Sequence, residues 1–184
     1  MKGIIFNLLE GVVTEQHGEE TWDRLLADAA LDGAYTSLGN YPDEDLFKLV
    51  SAASAALDTP PNDVIRWFGR AALGMLAVRY PDFFEPHSTT RPFLLTLNDI
   101  IHPEVRKLYP GADVPEFDFD DSSPDSLSMG YRSPRKLCAL AEGLIEGAAD
   151  QFEETVSIAQ SSCMNRGDEK CTLVISFQDQ GDRS

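Results

Sequence analysis

The spacing of hydrophobic residues along the chain changes once, close to residue 111. Before that point apolar residues recur every three or four positions, which is the spacing of one face of an amphipathic helix. This pattern predicts five helices, at about 2–15, 19–30, 46–57, 64–80 and 94–109. Pro110-Gly111 then ends the helical part of the chain.

Beyond residue 115 the apolar positions alternate with polar ones, which is typical of strands with one buried face. Four such segments lie around 117–119, 127–131, 156–158 and 171–177, and a helical pattern runs from Pro134 to about Ala149. The turn Asn165-Arg166-Gly167-Asp168 favours a hairpin between the last two strands. The sequence therefore predicts an α+β fold, in which a helical subdomain precedes a β-β-α-β-β subdomain with a four-stranded antiparallel sheet.

Length and the change of pattern predict one domain over residues 1–178. Residues 1–110 are expected to be mostly helical, residues 111–178 to form the α/β subdomain, and residues 179–184 to be a polar tail. At 184 residues the chain is long enough to enclose a cofactor.

The formal net charge of −16 disfavours nucleic acid as a partner, because a phosphate backbone would be repelled. No apolar run is long enough to cross a bilayer, so no membrane association is expected. Asn7 and Glu10 interrupt the apolar N-terminus, and no small-residue cleavage site follows them. Three cysteines, an odd number, do not indicate a disulfide framework. We therefore expect a cytoplasmic protein.

One histidine, His102, lies beside the apolar stripe of the fifth predicted helix. Taken alone, such a histidine is more often a core residue than a ligand. Pro103 disfavours an α conformation at His102, so the helix is expected to kink or restart there. Inside the fourth helix, Gly69 and Gly74 indicate either the close approach of a neighbour or simple tolerance of glycine.

Tyr131, Ser133 and Arg135 carry groups that bind carboxylates, and the sequence offers them no evident internal partner. In an extended segment these alternate residues would share one face, presenting two hydroxyls and a planar guanidinium. The alternative is that Ser133 caps the following helix, with Pro134 at its first position, and that Arg135 is a surface cation. A buried imidazole combined with hydrogen-bond donors for carboxylates is what a haem needs, with one ligand for iron and partners for two propionates.

With these residues the chain resembles the haem-nitric oxide/oxygen binding (H-NOX) family, of the bacterial stand-alone sensor type related to the haem domain of soluble guanylate cyclase. The resemblance runs from Met-Lys-Gly-Ile-Ile-Phe-Asn at 1–7 to about residue 177. It includes His-Pro-Glu-Val-Arg-Lys-Leu-Tyr-Pro at 102–110, Tyr131-x-Ser133-x-Arg135, and Ala-Glu-Gly-Leu at 141–144.

The resemblance implies haem b (iron protoporphyrin IX) held between the two subdomains. It implies that His102 is the iron ligand, that Tyr131, Ser133 and Arg135 bind the propionates, and that Pro115 presses on the porphyrin. It also implies a pocket lined by Ile5, Leu9, Gly74, Met75, Val78, Leu140 and Leu144.

The expected ligand is nitric oxide, with carbon monoxide as a laboratory ligand. Bound O₂ carries partial negative charge and needs a hydrogen-bond donor, whereas bound NO does not. Family members that hold O₂ resemble this chain but have a tyrosine in place of Leu140, so O₂ is expected to bind weakly or not at all. Because no effector domain follows residue 178, the output is expected to reach a separate signalling protein. A histidine kinase or a cyclic-di-GMP enzyme (a diguanylate cyclase or phosphodiesterase) would suit, and the chain itself is not expected to be an enzyme.

Cys138, Cys163 and Cys171 form a second candidate site. Some bacterial H-NOX proteins resemble this chain in having three cysteines, together with one histidine, around a structural zinc, but Gln160 stands at the histidine position. Three thiolates can hold Zn²⁺ with a water as the fourth ligand, and the alternative is three reduced cysteines.

The sequence leaves three rival functions open. The first is a zinc or thiol redox sensor in which haem is secondary. The second is a haem enzyme such as a peroxidase, which is disfavoured because, apart from His17 and His87 in predicted loops, no distal acid–base residue is evident. The third is a helical interaction module.

Overall fold

The computed structural model describes residues 1–178, in which six α-helices precede a four-stranded sheet and a seventh lies after its second strand. The helices are α1 (Gly3–His17), α2 (Glu19–Ala29), α3 (Asp43–Leu57), α4 (Pro61–Arg79), α5 (Thr90–Leu95), α6 (His102–Leu108) and α7 (Cys138–Gln151). The strands are β1 (Glu116–Asp120), β2 (Ser126–Arg132), β3 (Val156–Ser162) and β4 (Cys171–Phe177). The α+β prediction is confirmed, and the expected tail at 179–184 lies outside the described residues.

Helix boundaries follow local chemistry. Gly18, with φ +85°, ends α1 in a conformation that favours glycine. The first turn of α3 holds three acids, which suit the positive end of a helix dipole, and α4 begins with Pro61. Among residues 1–178, none of the helices combines the length and the apolar character needed to cross a bilayer.

The sheet has the strand order β1-β2-β4-β3, and all its pairings are antiparallel. Its inner face, which includes Leu127, Leu173 and Ile175, packs against Ile145 and Ala148 of α7. A second core, which includes Phe6, Leu46 and Leu49, lies among the N-terminal helices. The fold therefore consists of a helical part and a sheet part, with α7 between them.

Glycines allow α4 and α7 to cross closely. A Cβ atom at Gly69 would lie 2.6 Å from the carbonyl oxygen of Leu140, and one at Gly147 would lie 2.5 Å from that of Arg70. By contrast, a Cβ at Gly74 would meet nothing within 4 Å. Close approach is therefore the explanation for Gly69, and simple tolerance is the explanation for Gly74.

The fifth predicted helix is interrupted rather than continuous. A π-helical turn, Leu97–Ile101, separates α5 from α6, and α6 restarts at His102. The expected restart is therefore present, but His102 itself has α-helical angles (φ −64°, ψ −39°), against the expectation from Pro103. The helix predicted from Pro134 begins only at Cys138, so Ser133 is not its N-cap.

Candidate functional site

A cavity of about 320 Å³ lies between the helical part and the sheet part. Most of its wall is apolar, which is usual for a small-molecule site. Its apolar residues come from α1, α4, α5, the π-helical turn, α6 and α7, from both β1 and β2, and from the 112–115 loop. Among them are Ile4, Ile5, Leu8, Leu73, Leu76, Phe93, Leu94, Leu97, Ile101, Val105, Val114, Pro115, Phe117, Met129, Leu140, Ala141, Leu144 and Ile145. The polar residues on the wall include Lys2, Tyr80, His102, Tyr109, Asp113, Tyr131, Ser133 and Arg135.

The π-helical turn and β1 orient the His102 side chain. The imidazole stacks on Phe117 of β1, with ring centroids 5.3 Å apart and an interplanar angle of 26°. Asn98, in the π-helical turn, donates to the carbonyl oxygen of Phe117 at 2.8 Å. The start of the histidine-bearing segment is therefore attached to the sheet.

His102 is half-buried, and its environment keeps the ring neutral. Burial, and then the nearby charge of Arg106, lower the pKa of His102 from 6.5 to about 4. Neutral imidazole is the form that binds a metal. At neutral pH this side chain can therefore ligate iron without first losing a proton.

Tyr131 and Ser133 contribute two hydroxyls to the wall of the cavity. Tyr131 is 3% exposed, and its oxygen accepts the N–H of Leu137 at 3.0 Å. The Ser133 oxygen accepts the N–H of Arg135 at 3.3 Å. Burial raises the pKa of Tyr131, so the phenol stays protonated. Because both oxygens act as acceptors in these bonds, each hydroxyl can donate its own hydrogen to a carboxylate.

Arg135 is held by two acids, so the expectation that it has no internal partner is wrong. Its Nε donates to Asp43 at 2.8 Å, and its Nη1 donates to the carbonyl and carboxylate oxygens of Asp113 at 2.7 and 3.1 Å. Within residues 1–178, Nη2 has no hydrogen-bond partner, so this nitrogen is available to a ligand. β2 ends at Arg132, so a turn, not strand alternation, brings the three side chains of Tyr131, Ser133 and Arg135 to the cavity.

The structure separates the predicted pocket residues into two groups. Ile5, Pro115, Leu140 and Leu144 line the cavity together with His102, Tyr131, Ser133 and Arg135. The other four do not: Leu9, Gly74, Met75 and Val78.

The prediction for Gly74 and Val78 is wrong because both lie on the outer face of α4, where Val78 is 85% exposed. Leu9 is buried in the helical core instead, and Met75 packs against that core. The residues of α4 that face the cavity are instead Leu73 and Leu76, which lie three positions apart on one helix face. Gly74 follows Leu73 by one position and is rotated by about 100° from that face.

Sequence reasoning missed five polar residues of the site, namely Lys2, Asp43, Tyr80, Tyr109 and Asp113. Tyr109 follows His102 by seven residues, a spacing that returns to the same helix face, so the sequence did hold a signal for it. Asp43 is 92 positions from Arg135, and no local pattern connects the two.

The three cysteines meet on the inner face of the sheet part, where all are buried and none forms a disulfide. Their sulfur atoms lie within 4.8 Å of one another, with 3.8 Å between Cys138 and Cys163. Tetrahedral zinc–thiolate geometry places sulfurs about 3.8 Å apart, given Zn–S bonds of about 2.3 Å. The cluster described in residues 1–178 contains no histidine or carboxylate, and the side-chain nitrogen of the nearby Gln160 is buried without a partner.

The thiols differ in acidity. Burial raises the pKa of Cys171. For Cys163 burial acts in the same direction, but hydrogen bonds from the Asn165 backbone and the neighbouring thiols bring the pKa below its ordinary value. Cys163 is therefore the thiol that becomes an anion more readily than its neighbour Cys171.

An apolar cavity whose wall carries a neutral imidazole and hydrogen-bond donors suited to carboxylates defines an α+β domain of the haem-pocket class. The family model described as Haem-NO-binding (HNOB) matches residues 2–160. The chain therefore belongs to the H-NOX family of haem-based gas-sensor domains.

Solved structures agree with this assignment. The crystal structure of an H-NOX protein from S. oneidensis in the Fe(II)NO state is 36% identical, covering 97% of this chain and 100% of its own, with a TM-score of 0.91. The NMR structure of an H-NOX domain from Shewanella oneidensis in the Fe(II)CO state is 35% identical over 98% and 100% of the two chains, with a TM-score of 0.89. Unliganded Fe(II) H-NOX from K. algicida is 26% identical over 100% of both chains, with a TM-score of 0.87.

Proposed function

We propose that this protein binds haem b in the cavity and senses nitric oxide through the ferrous iron. The observation that carries the proposal is that one apolar cavity brings together His102 and the trio of Tyr131, Ser133 and Arg135. Relatives in Fe(II)NO and Fe(II)CO states support the choice of gases.

The donor set fits a haem. When bound, a ferrous haem supplies an iron that takes up diatomic gases and whose bond to histidine weakens when NO is the ligand. His102 offers a neutral nitrogen to that iron, while Tyr131, Ser133 and the free Nη2 of Arg135 offer donors to the propionates. Pro115 is the residue we assign to pressing on the porphyrin. The apolar wall excludes water from the gas site.

The apolar part of the cavity wall favours NO over O₂. Leu140 and Leu144 of α7 and Ile5 of α1 all lack a hydrogen-bond donor there. The hydroxyls of Tyr80 and Tyr109, which also line the cavity, bond to each other, and this bond engages one of their two hydrogens. The preference for NO therefore rests on the three apolar residues. We therefore expect NO to bind, CO to bind in the laboratory, and O₂ to bind weakly or not at all.

The response is proposed to pass through α6 to a separate signalling protein, because α6 carries His102. The net charge of −16 favours a partner with a basic face. We propose a histidine kinase or a cyclic-di-GMP enzyme as this partner, and we assign no catalytic activity to this chain. Three free cysteines are typical of a reducing compartment, which supports a cytoplasmic location.

The deciding experiment is an absorption spectrum of the purified, reduced protein before and after addition of NO. The expected result is a haem spectrum that NO converts to that of iron without a histidine ligand, and that air does not convert to a stable oxygen complex. As a control, His102→Gly should take up haem only when free imidazole is supplied. Haem content and gas response that survive His102→Gly without imidazole would refute the proposal.

A second candidate function rests on the distance between the cysteine sulfurs. The 3.8 Å separation of Cys138 and Cys163 suits a shared Zn²⁺, and oxidation of the thiols would release the metal and disturb the sheet part. Metal analysis of the purified protein should give one zinc per chain, and Cys163→Ser should remove it. Partner control that follows oxidation and ignores NO would favour this function, whereas absence of zinc from protein with reduced thiols would exclude its metal-based form.

A further inference from the structure

Two tyrosines on the cavity wall share a hydrogen bond that the proposed gas site does not use. Tyr80 directly follows α4, and Tyr109 directly follows α6. Their hydroxyl groups are in hydrogen-bond contact. The Tyr80 oxygen also accepts Nε–H of Arg79 at 3.1 Å, so Tyr80 is itself held in place.

Tyr109 belongs to the helical part of the molecule. It is 7% exposed and lies in the core that is formed by α1 to α4. Burial, and then the bond to Tyr80, raise the pKa of Tyr109 to about 12. The phenol therefore keeps its hydrogen at any physiological pH, and the bond persists.

His102 and Tyr109 lie at opposite ends of α6 but on the same helix face. They are seven residues apart, which is close to two helical turns, and both line the cavity. At the His102 end, stacking on Phe117 and the Asn98 bond attach the segment to the sheet part. At the other end, the Tyr80 bond attaches it to the helical part.

We infer that the Tyr80–Tyr109 hydrogen bond anchors the C-terminal end of α6 to α4 and thereby sets how far His102 can follow the iron. Anchored at Tyr109, α6 can only pivot, so that its His102 end is restrained against displacement into the cavity. Without this bond α6 would be less restrained, and a bond between His102 and a haem iron would be under less tension. This inference rests on the proposed function, and both tyrosines act as positioning residues.

The restraint has a measurable direction. Removing one hydroxyl deletes one hydrogen bond, and the net contribution of such a bond corresponds to about a 2–10-fold shift in an equilibrium. The ratio of histidine-free to histidine-bound protein after NO addition should therefore fall about 2–10-fold. The iron–histidine stretching frequency of the ferrous protein, measured by resonance Raman spectroscopy without any gas, should rise.

The test compares Tyr109→Phe, Tyr80→Phe and the double variant in the haem-loaded protein. The ring is kept in each, and only the hydroxyl is lost. The matched control is Tyr41→Phe, which removes a phenolic acceptor of the Thr36 N–H (2.7 Å) away from the cavity wall. If the anchor exists, the two single variants should change the nitrosyl ratio and the stretching frequency equally. The double variant should change them no further, and the control should leave both unchanged.

Three results would overturn the inference. The first is an unchanged stretching frequency and nitrosyl ratio in both single variants, and the second is two independent effects that add in the double variant. The third is loss of haem or of folded structure in the single variants, because the pair would then support the fold rather than position His102. If the wild-type protein takes up no haem, or if NO leaves its spectrum unchanged, the proposed function fails instead.

Discussion

A methyl group added at Gly143 tests how closely α4 and α7 cross. The added Cβ would lie 2.8 Å from the carbonyl carbon of Arg66 and 2.9 Å from the amide nitrogen of Arg70, and closer still to the Arg66 carbonyl oxygen. All three atoms belong to the backbone of α4, so no side-chain rotation can relieve the contact. One helix has to move away from the other.

The expected cost of Gly143→Ala follows from this geometry. Overpacking of a well-packed core costs about 1–3 kcal/mol. For a domain of this length, 1 kcal/mol changes the Tm by about 2–4 °C. Gly143→Ala should therefore lower the Tm by about 2–12 °C, and it should weaken haem retention because Leu140 and Leu144 of the same helix line the cavity.

Gly74→Ala is the matched control, because it makes the same chemical change in the partner helix. A Cβ at Gly74 would meet nothing within 4 Å, and the residue is exposed. Replacing glycine at such a helical position stabilises a protein by about 0.4–1 kcal/mol, mainly by restricting the unfolded chain. The Tm should therefore rise by about 1–4 °C.

Thermal unfolding followed by circular dichroism, in haem-free and haem-loaded protein, distinguishes the two variants. The Tm should fall in Gly143→Ala and rise in Gly74→Ala. If Gly143→Ala unfolds at or above the wild-type Tm, the two helices do not approach closely enough to need glycine. The explanation for Gly69 and Gly147 would then fail with it.

Three further predictions test the site. Leu140→Tyr should permit a stable O₂ complex in air by adding a distal donor, and an unchanged spectrum would contradict the assignment of that wall. Arg135→Lys keeps the charge but cannot bond two acids and a carboxylate together, so haem transfer to a competing apoprotein should become about 10–100-fold more favourable. In haem-free protein, the folded pKa of His102 (about 4) lies below its unfolded value of 6.5, so its stabilising contribution is complete above pH 6.5 and is lost as the pH falls toward 4. Urea midpoints at pH 7 and pH 4.5 should therefore differ less in His102→Phe than in the wild type.

The division into a helical part and a sheet part was predictable because burial imposes a local period. Residues such as Leu127 and Met129 alternate with Ser128, since every second side chain of a strand faces the core. In α4 the apolar residues at helical spacing include Phe68, Leu73 and Ala77, and all three are buried. The fold class needed no long-range information.

The expectation that Gly74 and Val78 line the cavity could have been corrected from the helical periodicity of α4. Their pocket role was taken from a family resemblance, not from the helix pattern. Because Leu73 and Ala77 face inward, residues one position later are rotated by about 100° toward the outside. The apolar spacing of the chain itself therefore argued against a cavity role for Val78.

The proposed carboxylate-binding trio could be predicted only in part. Tyr131, Ser133 and Arg135 are close in sequence and carry recognisable chemistry. Asp43, which orients the Arg135 guanidinium, comes from the start of α3, and only the tertiary fold brings it near. Ion pairs between distant segments leave no periodic trace in a sequence.

The π-helical turn before His102 sets the orientation of α6, so that the residues at its two ends, His102 and Tyr109, line the cavity. The carbonyl oxygen of Thr96 accepts both the Ile100 N–H at 2.9 Å, as in an α-helix, and the Ile101 N–H at 3.1 Å, as in a π-helix. The extra residue rotates the following segment by about 100°, which leaves Ile100 outside, 52% exposed, and brings His102 and Tyr109 to the cavity. Without that turn His102 and Tyr109 would keep their common helix face, which follows from their seven-residue spacing, but that face would be rotated by about 100° away from the cavity. The irregularity that the hydrophobic pattern could not predict is therefore the feature that brings the His102 imidazole to the cavity wall.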